Sequence, residues 1–214
     1  MKKVILLVVA LAVVALAYVT IQSVLAPVSF DKKQKEIEAV LQKQLKKIAT
    51  YEDAYKSVYN KYANKEELTA FLTNGRIFYI RAEGDYTSDM RDKGLSEEDA
   101  ARQGLIRRDT IWVSAKDSLL KDGTDIAKLF TIPNNPDSSI QVVASFIKQE
   151  VGDTEIEVPV FQASASYYSY LLPLGNERRI KEKVEAANAK TNAFAGLRVG
   201  SLSEVKTNGN WENG

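Results

Sequence analysis

Ser145-Phe146-Ile147-Lys148 has the spacing of a Ser-Lys nucleophile pair, in which a lysine one helical turn away helps a serine hydroxyl to attack. The tetrad falls in a stretch rich in β-formers, where residues i and i+3 point to opposite faces, so the pair reads as two surface side chains. Asp85, Asp89 and Asp92, with Glu83 nearby, are oxygen donors of the kind that hold calcium. Arg81, Arg91 and Lys93 interleave them and the spacing fits no known calcium loop, so the first reading is a solvated loop. Arg107-Arg108-Asp109 offers paired donors to an anion or a partner carboxylate, against the simpler reading of a surface charge cluster.

What is missing narrows the chemistry further. The chain has no cysteine and no histidine. Disulfides, thiolate zinc sites, cysteine nucleophiles, imidazole ligands and the Ser-His-Asp triad are excluded. No phosphate-cradling or dinucleotide-binding glycine loop, metalloprotease helix or EF-hand loop is present. Of the 29 basic residues, Lys2 and Lys3 precede the apolar segment, which leaves 27 against 28 acidic residues beyond it. A near-neutral body of that kind argues against nucleic acid as a partner, because phosphate binding needs a basic surface. No catalytic residue, metal or cofactor is expected.

The residues best suited to a partner are tyrosines. Tyr51, Tyr55 and Tyr62 lie on one helical stripe, and Tyr167, Tyr168 and Tyr170 adjoin Leu171, Leu172, Pro173 and Leu174 in a dense aromatic-apolar segment. Tyrosine clusters are favoured at interfaces, and these six are the candidate partner-binding residues. Packing against the chain's own core is the simpler reading of both groups.

The elements that carry them follow from periodicity. Val4 to Leu25 is an uncharged apolar run, about long enough to cross a ~30 Å hydrocarbon core. Lys2 and Lys3 before it favour a cytoplasmic N-terminus, and Tyr18 sits where an aromatic reaches the interface. The rival reading is a signal peptide cleaved at Ala15-Leu16-Ala17, against which the apolar character continues through Val19, Ile21, Val24, Leu25 and Val28.

From Asp31 to Tyr62, Ile37, Leu41, Gln44, Ile48, Tyr51, Tyr55, Val58 and Tyr62 alternate by four and three, with Val40, Leu45 and Tyr59 widening the stripe. This predicts a long amphipathic helix, joined to the anchor save for a kink at Pro27. Asn64 with Glu67, and Ser96 with Asp99, are capping boxes that open short helices ending at Gly75 and Gly104. Ile77 to Arg81 and Thr110 to Ser114 read as strands, and residues 131–139 as a loop holding two prolines. Ile140 to Ile147 and the alternation of Ile156, Val158 and Val160 make a hairpin turning at Gly152-Asp153, in which Pro159 marks an edge or bulged strand. Asn176 to Ala189 is a charged helix with a thin apolar stripe at Ile180, Val184 and Ala187. The tail from Lys206 is polar and expected to fray, with Trp211 able to dock back.

The order of parts, and Ile48 to Gly75 with its Ala54-Tyr55 pair, Tyr62 and Glu67-Leu68 helix start, resembles the stalk of a type IV pilin or pseudopilin. The chain departs from that family in having no Gly before the apolar run and no Glu early in it. Gly104 to Leu120 and Phe194 to Glu204 resemble a family of single-pass envelope proteins of Gram-negative bacteria. The resemblance implies an envelope location and no activity.

The expected protein is α+β. It has a membrane anchor over residues 1–30, an amphipathic stalk over 31–62, a small antiparallel-sheet domain with short helices over 63–205, and a polar tail over 206–214. It is expected in the inner membrane, with its domain in the periplasm. The expected function is a non-catalytic subunit of a secretion, pilus-like or scaffold assembly. Its partners would be the lipid bilayer, other envelope proteins or a second copy. The alternatives are a solute- or glycan-binding module, or a carboxylate or Ser-Lys hydrolase.

Overall fold

The computed structural model describes the backbone of residues 2–152, 154–190 and 193–212, and their side chains except at 2–5, 7, 8, 19, 21–27 and 151. The fold is α+β: among the described residues, one very long N-terminal helix is followed by short helices and three small antiparallel sheets.

Helix α1, Lys2–Tyr59, is continuous, so what the sequence divides into anchor and stalk is one element of 58 residues, about 87 Å long. The helix assignment runs through Pro27 without a break. Among the described residues no helix is long and apolar enough to cross a membrane. Much of the Val4–Leu25 run, Val24 and Leu25 included, has its side chains outside the description. Those that are described, among them Leu6, Val9, Leu11, Val13, Val14, Leu16 and Tyr18, are all exposed and touch no part of the domain's core.

The C-terminal half of α1 is the spine of the core. Leu41, Leu45 and Ile48 are fully buried, and Tyr51 and Tyr55 nearly so. Val40 and Tyr59, expected to widen the stripe, are instead about half exposed at 47% and 49%. The helix stops at Tyr59 because Asn60 turns left-handed at φ 55°, a conformation that asparagine tolerates. Tyr62 therefore lies in the following turn.

Helix α2, Lys65–Asn74, starts at the Asn64/Glu67 capping box and buries Leu68, Phe71 and Leu72. It ends at Gly75, whose backbone is extended, and a Cβ there would run into the Phe71 ring and carbonyl. Strand β1, Arg76–Glu83, pairs residue for residue with β2, Arg107–Ser114. The two short helices α3, Ser88–Asp92, and α4, Glu97–Arg102, lie between them, and α4 opens at the Ser96/Asp99 box. Helices α5, Ala115–Leu119, and α6, Ile126–Leu129, lead to a minimal hairpin of β3, Thr131–Ile132, and β4, Asn135–Ser139.

That hairpin corrects the loop expected over 131–139. Its prolines do not prevent pairing because the ladder is only two strands wide and irregular. Asn134 and Asn135 hold it by donating from their side-chain amides to the carbonyls of Tyr170 and Ser169, at 2.5 and 2.9 Å.

The third sheet has the order β5-β6-β7, from β5, Gln141–Val151, β6, Thr154–Ser166, and β7, Gly196–Gly200. Gly152 turns at φ 62°, and Asp153, the other half of the expected turn, lies outside the described residues. β7 pairs only with Gln162 to Ser166, so Pro159 sits where β6 has a single neighbour and its missing N–H breaks no ladder bond.

Alternation gives this sheet two unlike faces. Val142, Phe161, Ala163, Ala165, Leu197 and Val199 are buried in the core, while Gln141, Ser164 and Arg198 are aligned in register across the other face. Helix α7, Tyr167–Leu171, continues through a 3-10 turn into α8, Glu177–Asn188, which buries Ile180.

The tail does not fray up to Glu212. Val199 bridges Gly209, Arg198 and Asn210 exchange hydrogen bonds, and Glu212 pairs with Lys46 at 2.6 Å. Trp211 packs, partly buried, against the core as expected.

Candidate functional site

Of the six tyrosines expected to meet a partner, four face inward. Tyr55 packs edge-on against Phe71, with ring centroids 5.2 Å apart, and Tyr62 lies 4.6 Å from Phe161. Tyr51 is buried on the same helix face. Tyr170 is fully enclosed and donates its hydroxyl to Glu38 at 2.8 Å. Burial and the nearby Glu38 carboxylate push its phenol far above the ordinary range. Tyr167 is half-buried against Tyr170, and only Tyr168 offers substantial surface, at 45%. Tyr51, Tyr55, Tyr62 and Tyr170 are thus inside the domain, while Tyr168 stays on its surface. The stripe of α1 needs a large apolar surface to pack on, and tyrosine rings reach across to α2 and β6.

Glu52 went unread in the same stripe. It is fully buried; one oxygen accepts from the Ala63 N–H at 2.8 Å, and the other has no partner. Desolvation, with Asp53 and Glu67 close by, raises its carboxyl to about 8. Its place four residues after Ile48 and three before Tyr55 was the available signal. Next to it, burial and the acidic neighbours push the Tyr62 phenol up to about 12. Lys56 lies 4.7 Å from the centroid of the Tyr62 ring. Through its bond to the Ala63 N–H, Glu52 ties the turn after α1 to the helix.

The features that could have been chemical centres are scattered. Ser145 and Lys148 are both exposed, and Lys148 pairs with Glu155 at 3.2 Å. Arg107 pairs with Asp109 at 2.9 Å and Arg108 with Glu97 at 3.1 Å. Among the described residues no group of acidic side chains is arranged to hold a metal ion, the 83–92 segment included.

The surface that stands out is the β1–β2 ribbon. Its base is anchored by buried Ile77 opposite Val113, but beyond that point it leaves the core. Tyr79 and Ile111 lie opposite each other on one face, at 51% and 40% exposure. Phe78, Trp112 and Ile80 occupy the other, with Trp112 46% and Ile80 64% exposed. Phe78 and Trp112 pack at 5.3 Å between centroids.

Among the described residues neither strand has a second neighbouring strand, so both edges of the ribbon are open to strand pairing. At the foot of the ribbon, Val58, Tyr59, Gly75, Arg76 and Trp112 enclose a groove of about 470 Å³. Both strands were legible in the sequence, and so was a cue to their role. IFYI and TIWV do not alternate, which fits strands covered on both faces, yet beyond Ile77 and Val113 both faces leave large side chains exposed.

No family model matches the chain, and searches of curated proteins and of solved structures return no match either.

Proposed function

We propose that this chain is a non-catalytic, membrane-anchored interaction subunit of the cell envelope, and that the β1–β2 ribbon is its docking arm. The observation that carries the proposal is a two-stranded ribbon on which Tyr79, Ile80, Ile111 and Trp112 are exposed across both faces. A soluble monomer rarely leaves such a surface bare, and a partner strand would satisfy an edge while its side chains cover Ile80, Trp112 or Tyr79. The partner is another envelope protein or a second copy.

The anchor reading draws on the apolar N-terminal half of α1. Its described side chains are exposed on every side, the pattern of a helix whose solvent is lipid. The domain then stands on the periplasmic side of the inner membrane, following the lysines at the N-terminus.

A photo-crosslinking residue placed at Ile80 or Trp112 of the full chain in native membranes tests the docking arm. A discrete adduct is expected at both positions and none at Lys121, with the adduct mass separating a second copy from a different protein. Equal labelling at all three positions, or none at the ribbon, overturns it.

A further inference from the structure

The foot of the β1–β2 ribbon differs from the rest of it in charge. Arg81 pairs with Glu83 at 2.9 Å, Arg107 with Asp109 at 2.9 Å and Arg108 with Glu97 at 3.1 Å. Arg76, the first residue of β1, pairs with no carboxylate among the described residues. Its guanidinium donates to the Trp112 carbonyl at a long 3.4 Å, which leaves most of its N–H groups to solvent. Arg76 is exposed and shares one face of the ribbon with Phe78, Ile80 and Trp112.

That face runs down into the groove of about 470 Å³ between the ribbon and the end of α1. Trp112 forms one wall, and Val58 and Tyr59 the other. The Tyr59 ring is held in place by Tyr55 and Phe71, at 4.5 and 6.1 Å between centroids. The polar groups of the groove are Arg76, the Asn74 amide and the Tyr59 hydroxyl, and no carboxylate lines it. Strand direction adds a constraint. β1 begins at Arg76, so a strand laid antiparallel along it brings its carboxyl end to this groove.

We propose that the groove takes the carboxyl-terminal residue of a partner polypeptide, with its apolar last side chain between Tyr59 and Trp112 and its terminal carboxylate on Arg76. The inference rests on the docking role of the ribbon and names the chemistry of what docks there. A carboxylate offers two oxygens to a guanidinium, and such charge-assisted pairs are stronger than neutral hydrogen bonds. The preceding residues lie along β1, where the open edge takes their backbone hydrogen bonds and Phe78 and Ile80 meet their side chains. An apolar end without a carboxylate leaves Arg76 without a counter-charge, and an acidic end without an apolar side chain leaves the rings bare.

Fluorescence anisotropy of the full chain in detergent tests it with three labelled hexapeptides of alternating threonine and valine. The first ends in leucine with a free carboxylate, the second is its carboxyl-terminal amide, and the third is the amide with an internal aspartate. The free acid is expected to bind saturably, roughly tenfold or more tighter than either amide. Arg76→Gln should remove that preference, Trp112→Ala should weaken the free acid and its amide alike, and Lys121→Gln should change neither. No saturable binding of the free acid, equal binding of acid and amide, or a preference that survives Arg76→Gln overturns the proposal. So does equal binding of the aspartate peptide, which would mean that Arg76 reads an acidic side chain. The Ile80 adduct, measured separately in native membranes, reports whether the docking role itself holds.

Discussion

Glu52 shows how one buried acid ties stability to pH. Its folded-state value of about 8 lies above the ordinary 4.5, so the folded protein holds a proton that the unfolded chain releases. The stabilisation is full below pH 4.5, falls as pH rises, and is lost once pH passes about 8. Each pH unit in that window costs about 1.4 kcal/mol as an upper limit. Glu52→Gln keeps an oxygen for the Ala63 N–H and removes the proton. In denaturant melts the variant should match the parent near pH 5 and exceed it by roughly 2 kcal/mol or more at pH 8.5. Equal stability at both would show that the acid is ionised in the fold. Periodicity places such a residue on the inner face, but the Ala63 N–H that holds it comes from a turn whose path depends on Asn60.

At the scale of elements, what was legible is what local chemistry dictates. The capping boxes at Asn64/Glu67 and Ser96/Asp99 open their helices at the expected residues, because the interaction spans three positions. The buried side of α2 and the stripe of α8 likewise follow the helical period. The aromatic segment after β6 was not decidable that way. A tyrosine cluster has the same composition whether it packs inward or outward, and only the seating of α7 on Glu38 and the 131–139 hairpin settles it. Tyr170→Ala should therefore cost about 3–5 kcal/mol, chiefly by the cavity it leaves, with the bond to Glu38 lost as well. Tyr168→Ala should change stability by about 0.5 kcal/mol or less. Thermal melts of the pair check this; a near-neutral Tyr170→Ala would place that ring outside the core. The two apolar strands of the ribbon were read as strands, but nothing in them says that the domain ends before covering them.

Across the whole molecule, the features hidden from the sequence are those made by distant contacts. The tail from Lys206 is polar and turn-rich, yet Asn210, Trp211 and Glu212 fasten it to β7, the core and α1. The 131–139 segment looks like a linker and is a hairpin for the same reason.

One more consequence lies in α1 and its grip on α8. Arg179 pairs with Asp31 at 2.6 Å and sits over Phe30, so the domain is clamped to the helix one turn or so past the apolar run. A continuous helix clamped this way acts as a drive shaft, turning the domain through a set angle with every residue of added length. Each alanine inserted after Leu25 should swing the β1–β2 ribbon by about 100° and lift it by about 1.5 Å. Crosslinking yield at Ile80 should then fall with one or two inserted residues and recover with four, in step with the helical turn. A smooth decline with length would mean that the shaft slips, and that the facing of the ribbon is not set by the N-terminal helix.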